Sequence, residues 1–353
     1  MKRILITYAL YGMGHVKATE ALGSLLNKDF EVSYFNLSMY SHPFLENILI
    51  KLHKINVTYF PFIYKFFYYK SSNFIYNFIV WFYGNKKVCK RLIKLNPDIV
   101  IATHFLSEAT LVYLKRKYHL KYKICFLLTD YHVYNYMIMP QNKIDTYFVA
   151  TNELKKSLIE NDIKENHICV SSIPVNNKFH TKMNKNDICK KYNLNKKKKI
   201  VTYICGGLGI NSSLRYFKEL LRIDMDFQIV FIAGKNIKLK RKVEKIVKNY
   251  NKKVTVLGYT TSINELFYIS SFIIGKPGGL ITSECLTLNK MFLAVLPIIG
   301  QESENALYLE KNHLGIYVKD RKSFKKKVKF LLKNDIKPRY YKTKYNYLKA
   351  LKK

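Results

Sequence analysis

GKPGGLITSECLTLNKMFLAVLPIIGQESEN runs from Gly275 to Asn305, and its reading decides the fold. Apolar SFII and Gly275 end a strand, and Lys276-Pro277-Gly278-Gly279 break it in a turn. Leu280–Leu288 reads as a helix, and MFLAVLP (291–297) returns as a second apolar strand. Strand, turn, helix and strand make a βαβ unit, which places parallel strands in a sheet covered on both faces. The helix opens directly after the glycines, so its exposed N–H groups suit a diphosphate without a metal ion. Glu284, about one turn inside, suits vicinal hydroxyls such as those of a ribose. Gln301 and Glu302 offer an amide and a carboxylate, which suit a sugar whose hydroxyls both donate and accept. Asn305 caps or braces that loop.

The same alternation extends in both directions. Upstream lie KIVTYICGG (199–207), FQIVFIAG (227–234) and KVTVLGY (253–259), with helices between them. An earlier set comprises ILITYA (4–9), EVSYFNL (31–37), PDIVIAT (97–103), YKICFLLTD (122–130), TYFVAT (146–151) and HICVSSI (167–173). Two Rossmann-like α/β domains facing across a cleft are expected, with ligands beyond the carboxyl ends of the strands. The boundaries read as 1–173 for the first domain, 174–198 for a polar Lys/Asn-rich linker, 199–335 for the second domain and 336–353 for a basic tail. A basic helix is predicted over Ser323–Lys333, with Phe324, Val328, Leu331 and Leu332 on one side; it is either packed with a solvated outer face or a membrane anchor.

Two more glycine turns stand between a strand and a helix. In YGMGH (11–15), Gly12 and Gly14 allow a sharp turn and the close approach of a ligand. His15 beside a helix N-terminus is a candidate general base, because imidazole titrates near neutrality; the alternative is a structural histidine. In CGGLG (205–209), Gly206 and Gly207 either expose amides toward a phosphate or pack a tight turn. Asp130, which follows the apolar strand in LLTDYH (127–132), orients His15, acts as the base itself, or caps the following turn.

At 353 residues the chain fits two domains, and 48% hydrophobic residues are enough for sizeable cores. Six scattered cysteines without a CxxC pair argue against a zinc site or a disulfide scaffold and suit a reducing cytosol. The apolar run of MKRILITYAL is short and merges into a glycine turn, so it reads as a strand rather than a cleavable signal. The net charge of +37 attracts polyanions, either nucleic acid or anionic lipid. Between Tyr59 and Gly84 an aromatic run is cut by Lys65, Lys70 and Ser71-Ser72-Asn73, short of the ~20 apolar residues a span requires. Its Phe, Tyr, Trp and Lys mixture either rests among lipid headgroups or fills a core. The expected membrane contacts are Phe66, Phe67, Tyr68, Trp81 and Phe82.

Taken in order, these motifs resemble glycosyltransferase family 28, in the group of monogalactosyldiacylglycerol synthases and processive diacylglycerol glucosyltransferases. The family's KPGG-(I/L)-T-x-x-E and PGQE-x-x-N are similar to Lys276–Leu280 with Ser283-Glu284, and to Gly300-Gln301-Glu302 with Asn305. GxGHxxAAxAL resembles YGMGH followed by VKATEAL, and the likeness continues through the TD and FVAT block. Met291 and Ile299 depart from family prolines, and Thr282 falls one position after the usual threonine. The resemblance implies a GT-B fold and an inverting transfer of glucose or galactose from a UDP-sugar to diacylglycerol. It assigns Gly206, Gly207, Gly278 and Gly279 to the diphosphate side, with Lys276 adding charge there. Glu284 falls to the ribose, Gln301 and Glu302 to the sugar with Asn305 beside them, and His15, Asp130, Gly12 and Gly14 to the acceptor. No cofactor, metal or nucleic acid is expected, and the enzyme is expected at the anionic inner face of the cell membrane. The rival readings are a lipid-linked N-acetylglucosaminyltransferase of cell-wall synthesis, a UDP-sugar 2-epimerase, and a basic nucleic-acid-binding protein.

Overall fold

The computed structural model describes residues 1–59, 73–134, 143–206, 214–298, 300–339 and 343–352. Two compact units emerge: Met1–Asn176 with Ile299–Gln301 and Lys344–Lys353, and Asn177–Ile298 with Glu302–Thr343.

The first unit holds β1 (Arg3–Tyr8), β2 (Glu31–Asn36), β3 (Ile99–Ala102), β4 (Lys123–Leu127), β5 (Thr146–Val149) and β6 (Ile168–Val170), ordered β2-β1-β3-β4-β5-β6. All neighbours are parallel. Its helices are α1 (Met13–Leu26), α2 (Leu37–Ser41), α3 (Pro43–Tyr59), α4 (Asn73–Tyr83), α5 (Lys86–Leu95), α6 (Phe105–Lys117) and α7 (Asn152–Ile159). Every side chain of β3 is buried, as expected of a central parallel strand with both faces covered.

The second unit holds β7 (Lys199–Ile204), β8 (Phe227–Ile232), β9 (Val254–Leu257), β10 (Phe272–Gly275), β11 (Met291–Val295) and β12 (Gly315–Val318), ordered β12-β11-β10-β7-β8-β9 and again parallel. Around it lie α8 (Lys185–Lys191), α9 (Leu214–Leu221), α10 (Ile237–Val247), α11 (Ile263–Ile269), α12 (Gly279–Thr287), α13 (Gln301–Lys311) and α14 (Arg321–Lys333). The last helix, α15 (Tyr347–Lys352), belongs to the first unit.

Both sheets reverse direction once. The first chain segment leaves β1 for β2 on one side and returns to β3 on the other; the second leaves β7 toward β8 and returns to β10. In such sheets the crevice forms outside the carboxyl ends at the reversal. The turns after β1 and β3 carry Gly12 to His15 and Thr103-His104, while those after β7 and β10 carry Cys205-Gly206 and Lys276–Gly279. Topology alone therefore puts these four turns at the carboxyl ends of the strands that flank each reversal.

Two expectations change. The segment 174–198 is not a free linker: Phe179, Ile188 and Cys189 are buried, and Lys191 on α8 meets Glu265 on α11 at 2.7 Å. The stretch 336–353 is not a loose tail either. Tyr347 and Leu351 join the first unit's core with Ile4, Ile6 and Leu22, and the Tyr347 hydroxyl donates to Ser172 O at 2.7 Å. Strand β12 went unread because GIYV is short and lies directly after a helix. The basic helix α14 packs as expected, with Phe324, Val328, Leu331 and Leu332 buried. Buried Glu219 of α9 also holds it, accepting from Arg321 and from Lys325 at 2.8 Å.

Glu108 in α6 is fully buried, and neither carboxylate oxygen has a hydrogen-bond partner among the described residues. Burial pushes its carboxyl well above the usual range, so the folded chain keeps a proton that the unfolded chain has lost by neutral pH. The contribution of Glu108 to stability must therefore fall as pH rises above the unfolded carboxyl's range of about pH 4. Glu108→Gln is expected to raise the unfolding free energy at neutral pH by about 2 kcal/mol. Urea titrations should show the gap closing near about pH 4.

Candidate functional site

In the first unit, Gly12 is the residue before α1, with φ −172° and ψ 152°. That extended backbone suits any residue, so the turn does not require glycine here, contrary to the sequence expectation. A Cβ at Gly12 would meet no protein atom within 4 Å, which leaves the space beside the turn open. Helix α1 begins at Met13, placing Gly14 and His15 inside its first turn.

His15 Nδ1 lies 2.8 Å from the carbonyl oxygen of Thr103. A carbonyl only accepts, so Nδ1 carries the proton and the lone pair falls on Nε2. The Thr129 hydroxyl sits 3.0 Å from the same nitrogen. Thr103 is itself fixed, donating from N and Oγ1 to Thr7 O at 3.0 and 3.2 Å. Burial lowers the His15 pKa, with the Asp130 charge and the Thr103 carbonyl pulling the other way. The ring is thus neutral at physiological pH, held in one tautomer and able to accept a proton.

Asp130 is buried and acts on His15 through its charge. Gln301 groups with this unit, and its Nε2 donates to Asp130 Oδ2 at 2.5 Å. His104, which the sequence reading passed over, is the N-cap of α6 and packs edge-on against His15 at 4.8 Å. Burial, followed by His15 and His53, holds its pKa well below the ordinary value. Its signal was the Thr103-His104 pair directly after an apolar strand.

In the second unit, Gly206 has φ +72°, a conformation that favours glycine. Gly207 lies outside the described residues. Gly275 packs against β7, where a Cβ would come 2.9 Å from Ile204 Cγ2. Gly278 has no such constraint: a Cβ there would make only an ordinary 3.8 Å contact. Gly278 precedes α12, no side chain caps the helix, and Gly279 is its first residue. Among the described residues, no capping side chain accepts from the amides of that first turn, the arrangement that favours an anion. Lys276 and Glu284 are half-buried. The displaced threonine, Thr282, is fully buried, and its hydroxyl has no partner among the described residues.

Glu302 uses Oε2 to accept from the backbone of Ile298 at 2.7 Å, so it shapes the loop before α13. Asn305 is wholly buried in α13. Met291 sits in the core at the start of β11, and Ile299 lies outside the described residues.

Of the expected membrane contacts, Phe66, Phe67 and Tyr68 lie outside the described residues. Trp81 on α4 is 75% exposed, whereas Phe82 is half-buried against His42 and Phe78. Helix α3 adds a face the sequence reading missed. Phe44 (76% exposed), Ile48 (39%), Leu52 (53%) and Ile55 (46%) point outward, while Glu46 and Ile50 point inward. The outward side of this helix is thus unusually apolar for a surface helix, and its inward side holds a buried carboxylate. Exposed Lys51, Lys86, Lys87 and Lys90 lie on α3 and α5. Among the described residues, no helix is long and apolar enough to cross a membrane.

The family model described as monogalactosyldiacylglycerol (MGDG) synthase matches residues 15–175, and that of the glycosyltransferase family 28 C-terminal domain matches residues 201–351. A processive diacylglycerol beta-glucosyltransferase of Staphylococcus haemolyticus is 31% identical over 319 residues, covering 89% of this chain and 80% of that protein. Among solved structures, MurG of Acinetobacter baumannii superposes with a TM-score of 0.61 at 14% identity, covering 95% of this chain and 91% of that one. A putative UDP-N-acetylglucosamine 2-epimerase of Listeria monocytogenes reaches 0.64 at 12% identity, covering 100% and 96%. The two parallel α/β units are thus of the GT-B type.

Proposed function

The chain belongs to the glycosyltransferase family of monogalactosyldiacylglycerol synthases and family 28 enzymes, and from that premise we propose that it transfers glucose from UDP-glucose to diacylglycerol. The observation that carries the mechanism is His15, whose Nδ1 is committed to Thr103 and whose Nε2 is left as a base. In this reading the acceptor hydroxyl gives its proton to Nε2 as its oxygen attacks the anomeric carbon. The bond to UDP breaks on the opposite face, and the configuration inverts. Asp130 steadies the imidazolium that forms, and Gly12 leaves room for the acceptor.

The first-turn amides of α12 at Gly278 and Gly279, with Gly206 and Lys276, take up charge on the departing diphosphate without a metal. Glu284 serves the ribose, and the loop of Gln301 and Glu302 serves the sugar. The outward apolar residues of α3 and α4, flanked by lysines, rest on an anionic bilayer at the inner face of the cell membrane. Apolar side chains enter the headgroup boundary, and each nearby lysine adds roughly 1 kcal/mol of attraction. A lipid acceptor explains the apolar face together with the net charge of +37, which a nucleic-acid partner does not.

Vesicles containing diacylglycerol, supplied with labelled UDP-glucose, UDP-galactose or UDP-N-acetylglucosamine in the presence of a chelator, test this directly. Glucolipid is the expected product. Product from UDP-galactose alone reassigns the sugar, and no glycolipid from any donor overturns the reading. Dependence on added divalent metal would remove the metal-free donor site.

A further inference from the structure

The inward side of α3 carries a carboxylate that the fold buries. Glu46 is fully buried, and it is served from two other elements. The Tyr83 hydroxyl, at the end of α4, donates to Glu46 Oε2 at 2.7 Å. The Tyr11 hydroxyl lies 3.3 Å from the Tyr83 hydroxyl and 3.5 Å from the same carboxylate oxygen, longer than an O–H···O bond at its optimum. Burial raises the pKa of both tyrosines, that of Tyr11 to about 12, so both remain protonated donors. A second tie joins the same two helices: His42, immediately before α3, bonds Phe82 O through Nε2 at 2.8 Å.

Tyr11 opens the turn that carries His15. Its ring stacks on His104 at 5.7 Å and meets His53 of α3 edge-on at 5.3 Å, and His104 in turn packs against His15. A continuous path of ring contacts and hydroxyl contacts thus runs from the two helices with outward apolar faces to the base. The weakest member of that path is the Tyr11 hydroxyl, which is the one able to tighten.

We propose that Tyr11, gripped between Glu46 of α3 and Tyr83 of α4, is a positioning residue that couples the seating of those helices on lipid to the setting of His15. This rests on the reading of the α3–α4 outer face as membrane-facing. Helices lifted off a bilayer leave the grip slack; helices pressed into it bring Glu46 and Tyr83 onto Tyr11 and fix the turn. Misplacement of a base by about 1 Å costs up to ~10²-fold in rate, so a modest tightening is enough to be measured.

The test compares turnover of diacylglycerol in anionic phosphatidylglycerol vesicles with turnover of a short-chain diacylglycerol dispersed as monomers. Wild type is expected to be stimulated by vesicles. Tyr11→Phe keeps the stacked ring and loses only the hydroxyl; the ratio of the two rates should fall about tenfold. Its vesicle binding, donor KM and melting temperature should stay at wild-type values. Glu46→Gln, which still accepts from Tyr83, should retain most of the stimulation, whereas Glu46→Leu should lose it. A wild-type ratio in Tyr11→Phe overturns the coupling, as does a wild-type enzyme that binds vesicles without being stimulated. Wild type that fails to bind vesicles overturns the membrane reading itself, and the coupling with it.

Discussion

His15→Ala is expected to lower kcat by about 10³-fold, within the range a positioned general base supplies, while UDP binds as before. The expectation follows from one hydrogen bond. Thr103 O holds the Nδ1 proton, so Nε2 is the only ring atom that can take a proton from the acceptor. Burial lowers the pKa of His15, and the unprotonated form is the active one. Activity should therefore be full at neutral pH and should fall only as pH drops through a value below the ordinary histidine range. Asp130 and His104 are the titratable groups facing the ring from the neighbouring elements. Asp130→Asn removes the charge that favours the imidazolium and should move the acid limb further down. Near-normal turnover of His15→Ala at saturating lipid would remove it as the base and leave Asp130 as the candidate.

The second large effect concerns the membrane. Replacing Phe44, Ile48 and Leu52 together with serine should weaken partitioning onto anionic vesicles by on the order of 10²-fold. Each side chain is already solvent-exposed, so its loss removes about 1 kcal/mol of burial in lipid and costs the folded protein little. The melting temperature and UDP affinity should hold while sedimentation with vesicles collapses. In the wild type the same sedimentation should weaken as salt rises, because the lysine contribution is screened. Partitioning unchanged by the three substitutions would mean that α3 is not the docking helix.

The strands were the readable part of this chain. Runs such as IVIA and FQIVFI have no polar side to lose, so their burial on both faces could be anticipated, and glycines mark the turns that follow. Composition misled where polar residues hide a few apolar anchors. Lys/Asn-rich 174–198 looks solvated, yet Phe179, Ile188 and Cys189 seat it in the second unit. Helix α3 shows a different limit. Periodicity reveals that a helix has two unlike faces, but not which one turns inward. Here the inward face is the one with Glu46 and His53, because Tyr83 and Tyr11 wait there to receive them. Those partners are 37 and 42 positions from them in sequence, a separation no local pattern carries. The donor turn divided similarly. The uncapped start of α12 was legible, whereas the bond from Ile298 to Glu302 and the burial of Asn305 depend on how the loop closes.

The short closing helix at Tyr347–Lys352 has a consequence for the order in which the protein is made. It completes the hydrophobic face that begins with Ile4 and Ile6, although the whole second unit is written between them. A chain leaving the ribosome from its N-terminus presents all six strands of the first sheet early, with part of one face still bare. The second unit can finish first. The earlier-translated unit is then the later one to be sealed, and a proteolytic cut just before Tyr347 would injure the half of the molecule that precedes it by a whole domain.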